Sequence, residues 1–429
     1  MSTQQSGGAD NVDVNLLPGE EVSFSDARDS VTATDEQLNE RYAKGEIRIV
    51  TESARYSLAG ILSMLQERVD VEGVDGETEP RYKLDPEYQR RHRWSVERKS
   101  KLIESFLMNV PVPPVFLYER DLARFEVMDG RQRLTALSDF YDNKFELKGL
   151  EYWADLDGRT YSTLPKKVRD GIDRRYISSI ILLKETAANE QQAALLKKIV
   201  FERLNSGGVE LSSQETRNAI YNGPLNRLCL DLSQDQVFRR MWGIPTEKME
   251  DDEVSDAEMF EDLDSSTVIG RRMFEKMEDV ELVLRFFAYR HMSSFKAGLN
   301  KISEFLDKFL IKGNEFDPGI LDQYADLFGS TIKFLYAALD IEAFHAIGLS
   351  QRPTKIVYDA VMYASNDEQV RPMHADLIAN RELLRSKLRE AYENNSVYFS
   401  GRKTNYSDAQ ARNLIVRNAF VEVISLIKK

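Results

Sequence analysis

Two hydrophobic periods run along the chain, and they predict an amino-terminal mixed region followed by helices. The short apolar runs "VFLY" (115–118) and "FEVM" (125–128) are joined by the charged turn "ERDLAR", so we predict two strands with a connecting turn. The segment "VERKSKLIESFLMN" carries one helical stripe of apolar residues, with Ser95 before it as the candidate N-cap. From about residue 190 onward the pattern is almost wholly helical. The pattern therefore predicts an α/β (α+β) amino-terminal domain and a largely α-helical carboxy-terminal region.

Changes in composition divide the 429 residues into smaller segments. We predict an acidic, flexible tail at 1–45, a mixed α/β domain at 46–190, a helical extension at 191–246, an acidic loop at 247–265 and a helical domain at 266–429.

The negative charge is concentrated in two of these segments. The whole chain carries a formal charge of −13, of which residues 1–40 contribute about −8 and residues 247–264 about −9. The remainder is therefore mildly basic, at about +4. This distribution keeps nucleic acid among the partners that the folded body could bind.

Cysteine usage and hydropathy indicate the compartment. A single cysteine, Cys229, excludes a disulfide framework and a Cys-based zinc site within the chain, which favours a reducing, cytoplasmic location. The amino terminus has no secretory pattern. Apolar runs such as "ISSIILL" are far shorter than the roughly 20 residues of a membrane span, so no membrane partner is expected.

The stretch "VMDGRQRLTALSDF" (127–140) is the strongest candidate for chemistry. A glycine directly before a helix lets an anion approach unpaired backbone N–H groups and the positive end of the helix dipole. Arg131 and Arg133 add donors that suit phosphate oxygens, and Asp129 could hold a divalent cation. An ordinary strand-to-helix turn with surface arginines explains the same residues, and local chemistry alone leaves both interpretations open.

A family resemblance changes that balance. Gly130-x-x-Arg133-x-x-Ala136 resembles the phosphate-binding box of the ParB/sulfiredoxin superfamily. "DGRQR" resembles the Asp-Gly-Gln-Gln-Arg signature of the amino-terminal domain of GmrSD-type, modification-dependent restriction enzymes. Four sequence blocks that resemble those of the family occur in the same order over roughly residues 50–230. They are "YQRRHRWS", "LIESFLMNVPVPPVFLYE", "FEVMDGRQRLTAL" and "FERLNSGGVELSSQETRNAI". Arg131 departs from the usual glutamine, a change expected to strengthen phosphate binding and alter the geometry for hydrolysis.

The resemblance implies a ParB-like fold around a nucleoside-triphosphate site at Asp129, Gly130, Gln132 and Arg133, with Gln89 and Arg90 as neighbours. Together with the local chemistry, it predicts Asp129, Gln132 and Arg133 as catalytic residues and Asp129 as the ligand of Mg²⁺. The chemistry of the residues themselves adds Arg131, Asn205 and Arg217 to the predicted nucleotide-binding residues. The family's nuclease centre is His-rich, whereas this sequence holds only four scattered histidines, so we expect no DNA cleavage by this chain alone. Each histidine is expected to be a surface or packed residue: His92, His291, His345 and His374.

The block "ERLNSGGVELSSQETRNA" supports two interpretations. Two glycines can end one helix, and Ser212 with Glu215 can form a capping box for the next, which is a sufficient structural account. The polar residues Asn205, Glu215, Arg217 and Asn218 exceed what capping requires, so they could instead face the nucleotide.

The run "RRHRWSVERKSK" is a candidate nucleic-acid surface. Its cations with an interleaved tryptophan suit phosphate backbones and base stacking, although a solvated helix face explains most such runs. The residues that would carry this contact are Arg91, Arg93, Trp94, Arg98 and Lys99.

Two functional hypotheses from different classes follow. The first is an NTP-binding and NTP-hydrolysing module of a prokaryotic anti-phage, restriction-like system, which senses DNA and acts with a separate effector protein, as a monomer or a homo-oligomer. The second is a non-enzymatic adaptor for DNA or protein that retains a vestigial phosphate site.

Overall fold

A computed structural model describes residues 16–20, 22, 34–44, 49–71, 76–84, 94–184, 190–205, 212–244, 265–292, 302–401 and 405–429. The chain divides into two compact units. The sheet unit holds the described residues from 34 to 220. The helical unit holds residues 16–20 and 22 together with the described residues from 221 to 429. The predicted helical extension 191–246 is thus shared between the units at Tyr221, and nearly all of the predicted acidic loop lies outside the described residues.

Seven helices and seven strands of the sheet unit are described. The strands are β1 Thr51–Ser57, β2 Arg68–Asp70, β3 Thr78–Pro80, β4 Tyr82–Lys83, β5 Val115–Asp121, β6 Arg124–Asp129 and β7 Tyr176–Leu182. The helices are α1 Asp35–Lys44, α2 Ile61–Gln66, α3 Val96–Met108, α4 Arg131–Tyr141, α5 Lys166–Asp173, α6 Glu190–Asn205 and α7 Ser213–Ile220.

A mixed five-stranded sheet forms the centre of this unit, in the order β1-β7-β5-β6-β4. β1 pairs antiparallel with β7, β5 pairs parallel with β7 and antiparallel with β6, and β4 adds in parallel to β6. β2 and β3 make a separate two-stranded sheet. The predicted strands "VFLY" and "FEVM" are confirmed as β5 and β6. Both extend into the predicted turn, which is reduced to Leu122 and Ala123, with Ala123 at a φ of +55°.

Helices cover the sheet through one apolar core. Side chains of the sheet such as Leu117, Val127 and Ile177 pack with those of α2, α3 and α4. The predicted N-cap is confirmed, because the Ser95 hydroxyl accepts the Arg98 backbone N–H. α3 ends where Asn109 adopts a left-handed conformation, directly before the proline-rich connection to β5.

The helical unit is built from a second set of helices. Its helices are α8 Pro224–Leu232, α9 Gln236–Trp242, α10 Ser265–Glu275, α11 Glu278–Tyr289, α12 Ile302–Gly313, α13 Pro318–Leu339, α14 Lys355–Ser365, α15 His374–Ala379, α16 Arg381–Asn394, α17 Ser396–Phe399 and α18 Tyr406–Ile427. The predicted helical carboxy-terminal region is therefore confirmed. None of the helices in the described part of the chain has the length and apolar character of a membrane span.

The helical unit buries several polar groups in its core. Arg285 forms a buried ion pair with Asp359, so α11 and α14 are joined by charge as well as by apolar packing. Cys229 is fully buried on α8, and this burial raises the pKa of its thiol. The neutral thiol is therefore a packing group rather than a nucleophile.

A buried carboxylate fixes the loop that follows α4 in the sheet unit. Glu104 on α3 is 4% exposed, and its oxygens accept the backbone N–H groups of Tyr152 at 2.7 Å and Trp153 at 3.0 Å. The N–H of Glu151 is a third donor, at 3.3 Å. The conformation of residues 151–153 therefore depends on the Glu104 side chain, which accepts all three backbone N–H groups.

We expect Glu104→Ala to lower the free energy of unfolding by about 2 kcal/mol, because it leaves three backbone N–H groups without their acceptor. Amide exchange at residues 151–153 should become faster. The matched control is Glu151→Ala, whose exposed side chain pairs with Lys101 and should change stability by less than about 0.5 kcal/mol. Equal effects of the two substitutions would contradict this assignment; chemical denaturation measures both.

Candidate functional site

The candidate site begins where β6 turns directly into α4. Gly130 is the N-cap of α4 and has a φ of +94°, a left-handed backbone conformation that residues other than glycine rarely adopt. A Cβ at this position would lie 2.5 Å from Cγ1 of Val115, the fully buried first residue of β5. Glycine is therefore required both by the turn and by the close approach of β5.

Arg133 and Asp129 form an ion pair at this turn. Arg133 Nη2 donates to Asp129 Oδ2 at 2.7 Å, and its Nη1 donates to the carbonyl oxygen of Pro113 at 3.0 Å. The Asp129 side chain is 50% exposed, whereas that of Arg133 is only 12% exposed. The guanidinium therefore ties α4 to the segment before β5, while the carboxylate still faces solvent.

The residue before α3 contacts the first turn of α4 at this edge of the sheet. The side-chain carbonyl of Gln132, in the first turn of α4, accepts the backbone N–H of Trp94, just before α3, at 3.3 Å. Lys99, in the first turn of α3, pairs with Asp139 near the end of α4 at 3.0 Å. The residue before α3 therefore lies beside the first turn of α4, and the positive end of the α4 dipole is at Gly130.

The predicted nucleic-acid residues have defined surroundings where they are described. Arg98 is exposed and lies over the Trp94 ring at 4.9 Å, and Trp94 packs against the core. Lys99 is half-buried between Asp139 and the Phe145 ring. Arg91 and Arg93 lie outside the described residues, as do Gln89 and Arg90 of the predicted nucleotide site.

The polar face of α7 is buried rather than open to solvent. Arg217 is 2% exposed and donates to the side chain of Gln214 at 3.1 Å, and Asn218 is fully buried. The predicted capping box is confirmed, since Ser212 and Glu215 each accept the backbone N–H of the other. Asn205 is the last residue of α6, and its side chain lies outside the described groups.

Lys197 is a site neighbour that the sequence did not indicate. Its Nζ lies 2.9 Å from Glu126 Oε2 on β6 and 3.9 Å from the centroid of the Tyr118 ring on β5. This contact fastens α6 to the two strands that carry the site, and α7 packs on α6 in turn. A lone lysine on a helix gives no sequence signal for such a contact, nor does the backbone carbonyl of Pro113.

The residues at the turn offer one protein ligand for Mg²⁺ and do not form a metal site built from several side chains. Within the described ranges, no group of three or more His, Cys, Asp or Glu side chains is placed to hold a metal ion. Asp129 is one half-exposed carboxylate, and Mg²⁺ in nucleotide sites commonly uses one or two carboxylates together with phosphates and water. The residues present are therefore compatible with a metal that arrives with a phosphate ligand.

The described histidines are packed in separate places. His291 is fully buried in the helical unit, His374 stacks on Phe334 with its Nε2 at 2.8 Å from the Ser365 carbonyl, and burial lowers the pKa of the half-buried His345. His92 lies outside the described residues.

The motif and its surroundings match a known family model. The matching model is that of the GmrSD restriction endonuclease, N-terminal domain, and it covers residues 74–222. Residues 74–222 form a GmrSD-type amino-terminal domain. No curated protein and no solved structure matches the chain. The GmrSD-type domain spans about a third of the chain, contains the Gly130 turn and α3 to α7, and is of a kind found in restriction systems.

We expect Gly130→Ala to destabilise the GmrSD-type domain by about 3 kcal/mol, because the new methyl group adds a clash with Val115 to the cost of the left-handed backbone. Gly158→Ala is the matched control. Gly158 has a φ of +78° but open space around its Cβ position, so only backbone strain of about 1 kcal/mol is expected. Thermal unfolding of both variants tests this difference, and equal losses would show that packing against Val115 is not the constraint.

Proposed function

We propose that the GmrSD-type domain binds a nucleoside triphosphate with Mg²⁺ at the Gly130 turn and hydrolyses it, as the switch of a restriction-like anti-phage system. The observation that carries this proposal is the placement of Arg133 and a solvent-facing Asp129 at the Gly130 turn, where α4 begins. In such a system the hydrolysing module would sense DNA through the basic segment around Arg98 and pass the signal to a separate effector protein.

The ion pair suggests how binding would depend on the cation. Without ligand, Asp129 neutralises Arg133 and also repels an approaching phosphate. Mg²⁺ at Asp129 would supply charge neutralisation for the phosphate oxygens. Arg133 can then turn one donor from Asp129 to a phosphate oxygen while its other donor stays on Pro113.

Gln132 would contribute orientation rather than charge. Its side chain is held by the main chain of Trp94, so its position relative to the first turn of α4 is fixed. A fixed glutamine beside the terminal phosphate is suited to orient the attacking water. Backbone N–H groups at the start of α4 would stabilise the negative charge that develops on the phosphate.

The adaptor hypothesis remains the second candidate, and a specific observation favours it. Gly130 and Arg133 each have a structural role in the contact with β5 and its preceding segment, which accounts for them without any nucleotide. Phosphate release from NTPs, measured with and without DNA, separates the two functions. A protein that neither binds nor hydrolyses NTP under either condition would be an adaptor.

The role of Asp129 is tested by its dependence on magnesium. We expect Asp129→Asn to bind NTP as tightly without Mg²⁺ as with it, because the repelling carboxylate and the competitor for Arg133 are both removed, and to lose hydrolysis. Asp142→Asn is the control, since Asp142 lies at the other end of α4 in an exposed pair with Lys144. If Asp129→Asn keeps the magnesium dependence of the parent, the cation is not held there.

Arg133 is tested by affinity. Removal of one charge-assisted phosphate contact by Arg133→Ala should cost about 1.5 to 3 kcal/mol, or roughly 10- to 150-fold in NTP affinity. Arg159→Ala removes the same charge from an exposed loop of the unit and should leave affinity unchanged. Titration of labelled NTP into both variants, with circular dichroism to verify folding, measures the effect. Parental affinity in a folded Arg133→Ala protein would rule out the phosphate contact.

A further inference from the structure

The helical unit encloses a carboxylate that comes from the start of the chain. Glu20 has no exposed surface, although it belongs to the segment whose sequence predicts an acidic tail. Its partners follow or lie within helices of the carboxy-terminal region: Arg290 and His291 follow α11, and Tyr324 lies on α13. The structure thus brings together residues about 270 positions apart.

The pocket satisfies both oxygens of this carboxylate. Arg290 donates from Nε to Oε1 at 2.7 Å and from Nη2 to Oε2 at 2.9 Å, which is a bidentate, charge-assisted contact. The Tyr324 hydroxyl donates to Oε1 at 2.8 Å, and His291 Nε2 lies 3.2 Å from the same oxygen. The backbone N–H of Leu17 closes a turn onto Oε2 at 2.5 Å.

The electrostatics keep this carboxylate ionised at neutral pH. Burial alone would raise the pKa of Glu20, but the hydrogen bonds and charge of Arg290, with His291, lower it to about 2. Since the folded pKa lies below the ordinary value of 4.5, the stabilisation is fully present above that pH and is lost as the pH falls towards 2. At physiological pH protonation of Glu20 therefore does not control the contact.

The rest of this segment is held much less firmly. Pro18 and Gly19 are exposed, Leu16 and Leu17 are half-buried, and Val22 is the other buried residue among the described ones from 16 to 22. By contrast, Arg285 and Asp359 form a buried pair whose partners both belong to long helices of the core. Among the described residues of this segment, Glu20 therefore makes the strongest contact with the helical unit.

We propose that Arg290, His291 and Tyr324 form a binding site for a peptide carboxylate, and that residues 16–22 occupy it as a releasable latch. The ligand class is a short acidic peptide that presents one glutamate from a tight turn. When the segment leaves, the donors of Arg290 and Tyr324 can take a second acidic peptide of the same kind. This site is independent of the nucleotide site proposed in the sheet unit.

The test uses the full chain with a specific protease site placed within residues 23–33. After cleavage, the amino-terminal fragment should stay bound through gel filtration, because its Glu20 remains in the pocket. In a chain carrying Glu20→Gln, the fragment should dissociate at least about 10-fold faster, because the bidentate charged contact is lost. Addition of the synthetic peptide LLPGEEV should displace the parental fragment, whereas LLPGQEV should not.

Pro18→Ala is the control, because Pro18 is an exposed residue of the same segment and its change should leave the dissociation rate unchanged. Circular dichroism of the uncleaved variants verifies that the helical unit is folded. Immediate loss of the parental fragment, or equal dissociation rates for the parent and Glu20→Gln, would overturn the proposal. Displacement by both peptides alike would show that the pocket does not select a carboxylate.

Discussion

The architecture of the sheet unit depends on the close approach of β5 to the turn at Gly130. Val115 occupies the space that a side chain at position 130 would need, so the backbone of the turn packs directly on the central sheet. This contact fixes the direction in which α4 leaves the sheet, and Gln132 and Asp139 of α4 then contact Trp94 and Lys99 at the start of α3. The position of the α4 N-terminus therefore follows from a single steric requirement.

Arg133 has a structural role and a candidate ligand-binding role at the same time. Arg133 reaches the Pro113 carbonyl on the strand side and Asp129 on the solvent side, so one guanidinium joins the frame to the exposed edge. The fold already holds the side chain of such a residue in one orientation before a ligand binds, so less entropy is lost on binding. A phosphate site can be preorganised without a cavity when the frame itself supplies the donors.

Sequence patterns predicted the local elements well and the distant contacts poorly. The two strands around the 122–123 turn, the Ser95 cap and the Ser212–Glu215 capping box all follow from neighbouring residues, and each is confirmed. The sequence of β7, which lies between β1 and β5, shows only an apolar run. Its partner strands lie about 60 to 130 residues away, and the hydrophobic period does not identify them. Glu20 was grouped with the acidic tail for the same reason, since nothing near it in sequence marks Arg290 as its partner. The ParB likeness stays a prediction from the motif.

The buried Glu20 also sets an order for biosynthesis. Residues 16–22 leave the ribosome long before α13, which carries Tyr324 and is made some 300 residues later. At about 5 to 20 residues per second, this amounts to roughly 15 to 60 seconds during which the segment has no pocket to enter. The helical unit is therefore completed by a segment that is made long before its pocket. A bulky group fused close to Leu16 would burden this last step of folding more than the same group placed at the carboxy terminus.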